Sequence, residues 1–254
     1  MYKIPANTLF LGKNLLFMPE CHSTNTFALD LCQQSSSIAD GTVVITDNQT
    51  SGRGQRGNNW EVEPGRNLTF SVILRPTFLA VNLQFYLNIF ASLAIHDYLR
   101  EKGCLRMAIK WPNDVFINEK KVSGILIENQ VHGNLLANTV VGIGLNINQI
   151  QFLELKNATS LGLILNREFD LQSELEILLT MLEARYLQLR QSYLSGLMAE
   201  YLRAMYWINE VHTFGSNGKT FEGTICGVDE SGRLKVKINE EEKAFGMKEI
   251  SYLR

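Results

Sequence analysis

From Met107 to Glu128 the chain reads MAIKWPNDVFINEKKVSGILIE. Met107–Trp111, Asp114–Ile117 and Lys121–Glu128 are apolar runs with strand character, parted only by a Pro-Asn turn and the charged turn Asn118–Lys121. The last two runs read as a hairpin. Strands that follow one another with no helix between them conflict with strict β–α alternation, and so with a doubly wound parallel sheet.

The rest of the first 208 residues mixes both periods. Residues 14–19 and Thr42–Thr46 read as strands, and Asn67–Arg75 alternates like one. Ser23-Thr24-Asn25-Thr26 caps a helix running through Phe27, Ala28, Leu31 and Cys32. Helical spacing recurs over 82–102, around 158–163, over 172–192 and over 196–206, with a strand at Leu135–Ile147. In the 172–192 helix, Leu175, Leu178, Leu179, Leu182, Tyr186 and Leu189 share one face. The expected class is α+β: a mixed, largely antiparallel sheet flanked by helices.

After Asn209 the pattern changes to short strands at Val211–Phe214, Thr220–Asp229, Arg233–Asn239 and Lys243–Met247, separated by turns such as GSNGK and DESGR. Such a run suggests a small SH3-like barrel. The expected division is 1–208 and 209–254.

Twenty-four basic and 26 acidic residues leave a net charge of −2, which removes the simplest argument for tracking nucleic acid but leaves room for a local basic loop. No apolar run approaches the roughly 18 residues of a membrane span, and the N-terminus lacks the layout of a signal peptide. Cys21, Cys32, Cys104 and Cys226 form no CxxC pair, and the four histidines are scattered. We expect reduced thiols in a cytoplasm, with no structural zinc.

Four constellations can carry chemistry. Gly52-Arg53-Gly54-Gln55-Arg56-Gly57, running on to Trp60, combines backbone freedom with guanidinium forks suited to phosphate or carboxylate. The same composition also suits a surface loop with solvated arginines. Lys110, just before Pro112-Asn113-Asp114, can point a compact charge into a cleft, and Asp114 can meet Mg²⁺. A plain strand end with a solvated hairpin would look alike. Gly142 and Gly144, followed by Asn146, mark close approach by a ligand or by neighbouring backbone. Ser23-Thr24-Asn25 is first a helix cap, and a helix N-terminus also offers free N–H groups.

Their order along the chain is informative: STNT, Gln49…GRGQRG…W…PGRNLTFS, KWPNDVFINEKKVSGILIE, GIGLNIN, then a small β domain. This succession closely resembles the biotin–protein ligases over nearly the whole chain, and the KWPND…KxxGILIE block is its most specific part. The resemblance implies a class II synthetase-like catalytic domain shared with lipoate ligases. It also implies a two-step reaction. Biotin and MgATP give biotinyl-5′-AMP and pyrophosphate, then a lysine of a carboxylase's biotin carrier domain takes the biotin and AMP leaves.

Mapped onto the matching positions, the resemblance implies that Lys110 touches both the biotin carboxylate and the α-phosphate. Arg53 and Arg56 would order the loop over the adenylate, and these three form the expected catalytic set. Ser23, Thr24, Asn25, Gln49, Gly52 and Gly124, with Arg53 and Lys110, would bind biotin. Trp60 would pack on adenine. Asn113, Asp114, Lys121 and Asn146 would serve the nucleotide, with Asp114 on the metal side. Gln55 and Asn58 depart from the family's usual basic residues in this loop, and Glu63-Pro64 stands where Ser-Pro is common.

Only 22 residues precede Ser23, so the expected form is a ligase without a DNA-binding arm and with no specific DNA partner. A homodimer is compatible with the family. The rivals are a lipoate–protein ligase and a non-catalytic biotin or nucleotide sensor.

Overall fold

The computed structural model describes residues 2–34, 38–61, 63–152 and 157–253, apart from the Arg56 side chain. Seven strands build the first sheet: β1 (Leu15–Cys21), β2 (Thr42–Gln49), β3 (Leu68–Leu74), β4 (Met107–Lys110), β5 (Asp114–Ile117), β6 (Lys120–His132) and β7 (Leu135–Leu145). Their order is β1-β2-β3-β7-β6-β5-β4. Strands β1 and β2 pair in parallel because helix α1 (Thr24–Gln34) crosses between them. The other neighbours pair antiparallel. The class is α+β, as the run of helix-free strands requires.

Alternation gives the sheet two unequal faces. Leu68, Phe70, Val72 and Leu74 of β3 join Val141, Ile143 and Leu145 of β7 in the main core, which α2 (Tyr86–Glu101) and α4 (Leu171–Arg190) cover. The opposite face carries a small cluster of Val44, Ile73 and Val140 under Ala28 of α1. The six α4 residues expected on one face are all buried.

Helix boundaries follow local chemistry more than period. The 82–102 pattern resolves into a short 3₁₀ turn over Val81–Leu83 and α2 beginning at Tyr86, where Phe85 supplies no capping oxygen. Helix α3 (Leu161–Leu165) starts later than expected because Ser160 Oγ accepts from Leu163 N, and it stops at left-handed Asn166. Helix α5 spans Leu194–Arg203.

The second sheet is antiparallel, in the order β11-β10-β9-β8-β12. It comprises β8 (Val211–Ser216), β9 (Lys219–Val228), β10 (Leu234–Ile238), β11 (Glu241–Phe245) and the unanticipated two-residue β12 (Ser251–Tyr252). Asn217-Gly218 and Asn239-Glu240 turn the hairpins with positive φ. The segment after α5 ties β4 to this sheet: Ile109 N donates to Ala204 O at 2.7 Å and Tyr206 N to Ile109 O at 2.9 Å, and then Asn209 N donates to Ile225 O of β9 at 2.9 Å. All four cysteines are free thiols. Among the described residues no helix is long and apolar enough to cross a membrane.

Candidate active site

A cleft of about 360 Å³ opens on the α1 face of the first sheet, within the range of small-molecule sites. Three glycines make its floor possible. Gly124 of β6 and Gly144 of β7 are register partners, and Gly142 pairs with Ser71 of β3. A Cβ on Gly144 would stand 2.2 Å from Trp60 Cε2, and one on Gly142 would stand 2.1 Å from Asn25 Oδ1. These strand positions are vacant of side chain so that Trp60 and Asn25 can lie against the backbone.

One end of the cleft is neutral and hydrogen-bonding. Ser23 opens α1, its Oγ accepting from Thr26 N at 3.4 Å. Thr24 N donates to Gln49 Oε1 at 2.9 Å. Ser71 Oγ is hydrogen-bonded to Thr24 Oγ1 at 2.7 Å and to Asn25 Oδ1 at 2.6 Å. Asn25 Nδ2 in turn donates to Leu126 O at 3.1 Å and Glu128 Oε2 at 2.9 Å. Satisfied buried networks of this kind hold their members in one geometry.

The glycine-arginine loop arches over this floor. Gly54 N donates to Asn58 O at 2.7 Å and Trp60 N to Gly52 O at 2.9 Å, closing it on itself. Arg53 NH2 reaches Glu128 Oε2 at 2.7 Å. Trp60 Nε1 is buried with no hydrogen-bond partner, and Lys121 Nζ lies 5.5 Å from a Trp60 ring centroid.

The other end is cationic. Lys110 closes β4 and Asp114 opens β5 as its register partner. Between them Trp111–Pro112 is cis, and Asn113 is tied to Ile125 by two bonds, Nδ2 to O at 2.7 Å and Ile125 N to Asn113 O at 3.0 Å. Lys121 Nζ pairs with Asp114 Oδ1 at 2.7 Å. Lys110 Nζ lies over the rings of Phe116 (5.3 Å) and Tyr252 (4.7 Å). Burial, helped by Tyr206, pushes the Tyr252 phenol well above its usual range, so that ring stays neutral. The arrangement can hold an anion at one end and a neutral polar group at the other.

Residues 18–146 match the biotin/lipoate A/B protein ligase family. The chain belongs to that family. It is 30% identical over 243 residues to the bifunctional ligase/repressor BirA of Bacillus subtilis, which covers 92% of this chain and 72% of that protein. It is also 30% identical over 238 residues to the biotin–acetyl-CoA-carboxylase ligase of Mycobacterium tuberculosis, covering 91% of this chain and 86% of that one. Among solved structures, the biotin protein ligase of Aquifex aeolicus in complex with biotin and ATP superposes with a TM-score of 0.78 at 28% identity, covering 95% and 99% of the two chains.

Within this ligase-family cleft the expected residues are largely gathered. Ser23, Thr24, Asn25, Gln49, Arg53 and Trp60 line it together with Lys110, Asn113, Asp114, Lys121 and Gly124. Gly52 and Asn146 stand outside the lining. A Cβ on Gly52 would meet Trp60 O at 2.4 Å, so that glycine lets the loop close. Asn146 is buried, donating to Thr159 O at 3.0 Å. Trp60, expected on adenine, rests against the Gly124 and Gly144 floor. The Arg56 side chain lies outside the described residues.

Sequence reasoning missed Thr69, Ser71, Glu128 and Tyr252. For Thr69 and Ser71 there was a signal: they are polar at alternate positions of an otherwise apolar strand, and they face the cleft side. Glu128 closed the GILIE motif without a role. Tyr252 carried no signal at all.

Proposed function

We propose that this chain is a biotin–protein ligase. It joins biotin to ATP as biotinyl-5′-AMP, then transfers the biotin to one lysine of a carboxylase's biotin carrier domain. In the first step a biotin carboxylate oxygen attacks the α-phosphorus, and the bond to pyrophosphate breaks. In the second, the acceptor lysine's neutral amine attacks the acyl carbon. The C–O bond to AMP breaks, and the amine's extra proton is lost. Both steps are helped chiefly by positioning and by cations placed where oxygen charge develops.

The observation that carries this reading is the polarity of one cleft. A neutral network of Thr24, Asn25, Gln49 and Ser71 stands at the α1 end, and Lys110, Lys121 and Arg53 stand over the same glycine floor. The ureido ring needs matched donors and acceptors. The carboxylate and phosphates need cations. Lys110 is assigned the reacting pair of anions, and Ser23 to Asn25, Gln49 and Gly124 the biotin ring. Arg53 and Arg56 are assigned the loop over the adenylate. Trp60, Asn113, Asp114, Lys121 and Asn146 take the nucleotide side.

Magnesium enters as part of MgATP. Among the described residues no three metal-ligating side chains cluster, which suits an ion that is held mainly by phosphate oxygens and water. Asp114, paired with Lys121, is the carboxylate on that side. The free thiols support a reducing, cytoplasmic setting.

The test is ATP–pyrophosphate exchange with biotin against lipoate, followed by transfer of labelled biotin to a carrier domain. Biotin-dependent exchange and lysine labelling are expected. Exchange with lipoate alone would overturn the reading. Biotin binding with no exchange would identify a sensor.

A further inference from the structure

The ammonium of Lys110 sits between two aromatic rings of different origin. Phe116, 5.3 Å away, comes from β5 of the same hairpin. Tyr252, 4.7 Å away, comes from β12, the last strand of the second sheet. The rings support one another. Tyr252 packs on Phe214 at 5.5 Å, on Trp207 at 5.4 Å and on Tyr206 at 6.5 Å, and Tyr206 packs on Phe116 at 5.4 Å. A ring so enclosed has one position to offer the cation.

The same strand end is gripped at the neighbouring residues. Ile109 exchanges backbone bonds with Ala204 and Tyr206. Trp111 Nε1 donates to Gly232 O at 2.9 Å, in the β9–β10 turn. That turn is pressed so closely on α2 that a Cβ at Gly232 would lie 2.2 Å from Phe85 Cγ. Residues 109, 110 and 111 are thus each held by chain beyond residue 203. The second sheet reaches the cleft itself through Ile250, Ser251 and Tyr252.

We propose that Tyr252 is a positioning residue for adenylation, its ring face fixing the Lys110 ammonium at the end of β4. This rests on the role given to Lys110 above. A lysine carries four rotatable carbons and loses that freedom only where something holds the head group. Attraction of the cation to the negative ring face supplies the hold, and it does so without neutralising the charge. Lys110 meets the biotin carboxylate in the ground state as well, but charge grows on the oxygens only in the transition state, so the larger part of the effect falls on kcat. The biotin ring's contacts at the α1 end are untouched.

The test compares Tyr252→Leu, Tyr252→Phe and wild type in biotin-dependent pyrophosphate exchange. Tyr252→Leu is expected to lower kcat about tenfold, within the range of cation–π energies, with the KM for biotin within about twofold. Tyr252→Phe, which keeps the ring, is expected to recover most of that loss. Progressively fluorinated phenylalanines at 252 hold the shape nearly constant while draining the ring face, so kcat should fall stepwise along the series even if the leucine variant folds poorly. A flat series, a leucine variant as fast as wild type, or a phenylalanine variant as slow as leucine would each overturn the proposal. No biotin-dependent exchange by the wild-type protein would instead overturn the ligase reading.

Discussion

Gly144→Ala puts one methyl group where the structure has no room for it. The added carbon would stand 2.2 Å from Trp60 Cε2, 2.3 Å from Cζ2 and 2.7 Å from Nε1. Carbon pairs rest at roughly 3.5–4.0 Å, so the indole must withdraw by more than about 1 Å. Overpacking costs roughly 1–3 kcal/mol where the neighbour cannot yield. Trp60 stands on a loop and its Nε1 has no bond to lose, so the lower part of that range is expected for stability, about 1 kcal/mol. Binding should suffer more. The methyl and the displaced ring both enter the cleft, and one methyl-sized misfit in a fitted pocket is worth roughly 10–100-fold. Calorimetric titration with biotin should show this loss, while thermal unfolding shifts by a few degrees. The double variant Gly144→Ala/Trp60→Ala should regain the lost thermal stability, because the clash is gone. Unchanged biotin affinity in the single variant, or no recovery in the double, would refute the packing argument.

Three further outcomes follow from the same geometry. Ser71→Ala deprives two buried groups, Thr24 Oγ1 and Asn25 Oδ1, of a partner; about 1–3 kcal/mol of stability should be lost by urea denaturation, with weaker biotin binding. Arg56→Ala should release biotinyl-AMP faster than wild type in a single-turnover assay, and equal release would remove Arg56 from adenylate retention. Burial pushes the His96 imidazole below its ordinary 6.5, with Arg100 and Arg185 acting the same way and Asp97 opposing. The unfolded chain therefore takes up that proton first, so stability holds above about pH 6.5 and declines as pH falls below it. His96→Gln should flatten that decline in denaturation curves at pH 7.5 and 5.5.

How much was legible depended on how local the determinant was. The β5–β6 hairpin, the apolar face of α4 and the N-cap at Ser23 rest on spacings of two to seven residues, and they stand as read. The start of α3 rests on one hydroxyl, Ser160, which pattern alone does not single out. The glycines were readable as close approaches, but not what approached: Asn25 and Trp60 lie far from Gly142 and Gly144 in sequence. Tyr252 is the extreme case. Its strand is two residues long, and its partner Lys110 sits in the other sheet. No periodicity encodes that meeting.

The near-balanced charge of −2 hid a cationic cleft for a physical reason. Among the described residues three cations share the cleft lining, yet each has a partner that limits mutual repulsion: Glu128 for Arg53, Asp114 for Lys121, and two ring faces for Lys110. The two ion pairs are partly exposed, and such pairs are worth roughly 0–1 kcal/mol. Phosphate or carboxylate oxygens form stronger charge-assisted bonds to the same donors, so an arriving anion can take both cations at little cost. A deeper, drier pairing would hold the loop more firmly and would resist the substrate by the same margin. Weak carboxylate partners for the movable cations, and an aromatic hold on the lysine that must stay charged and in place, are what a site that passes a reactive anion from one nucleophile to the next requires.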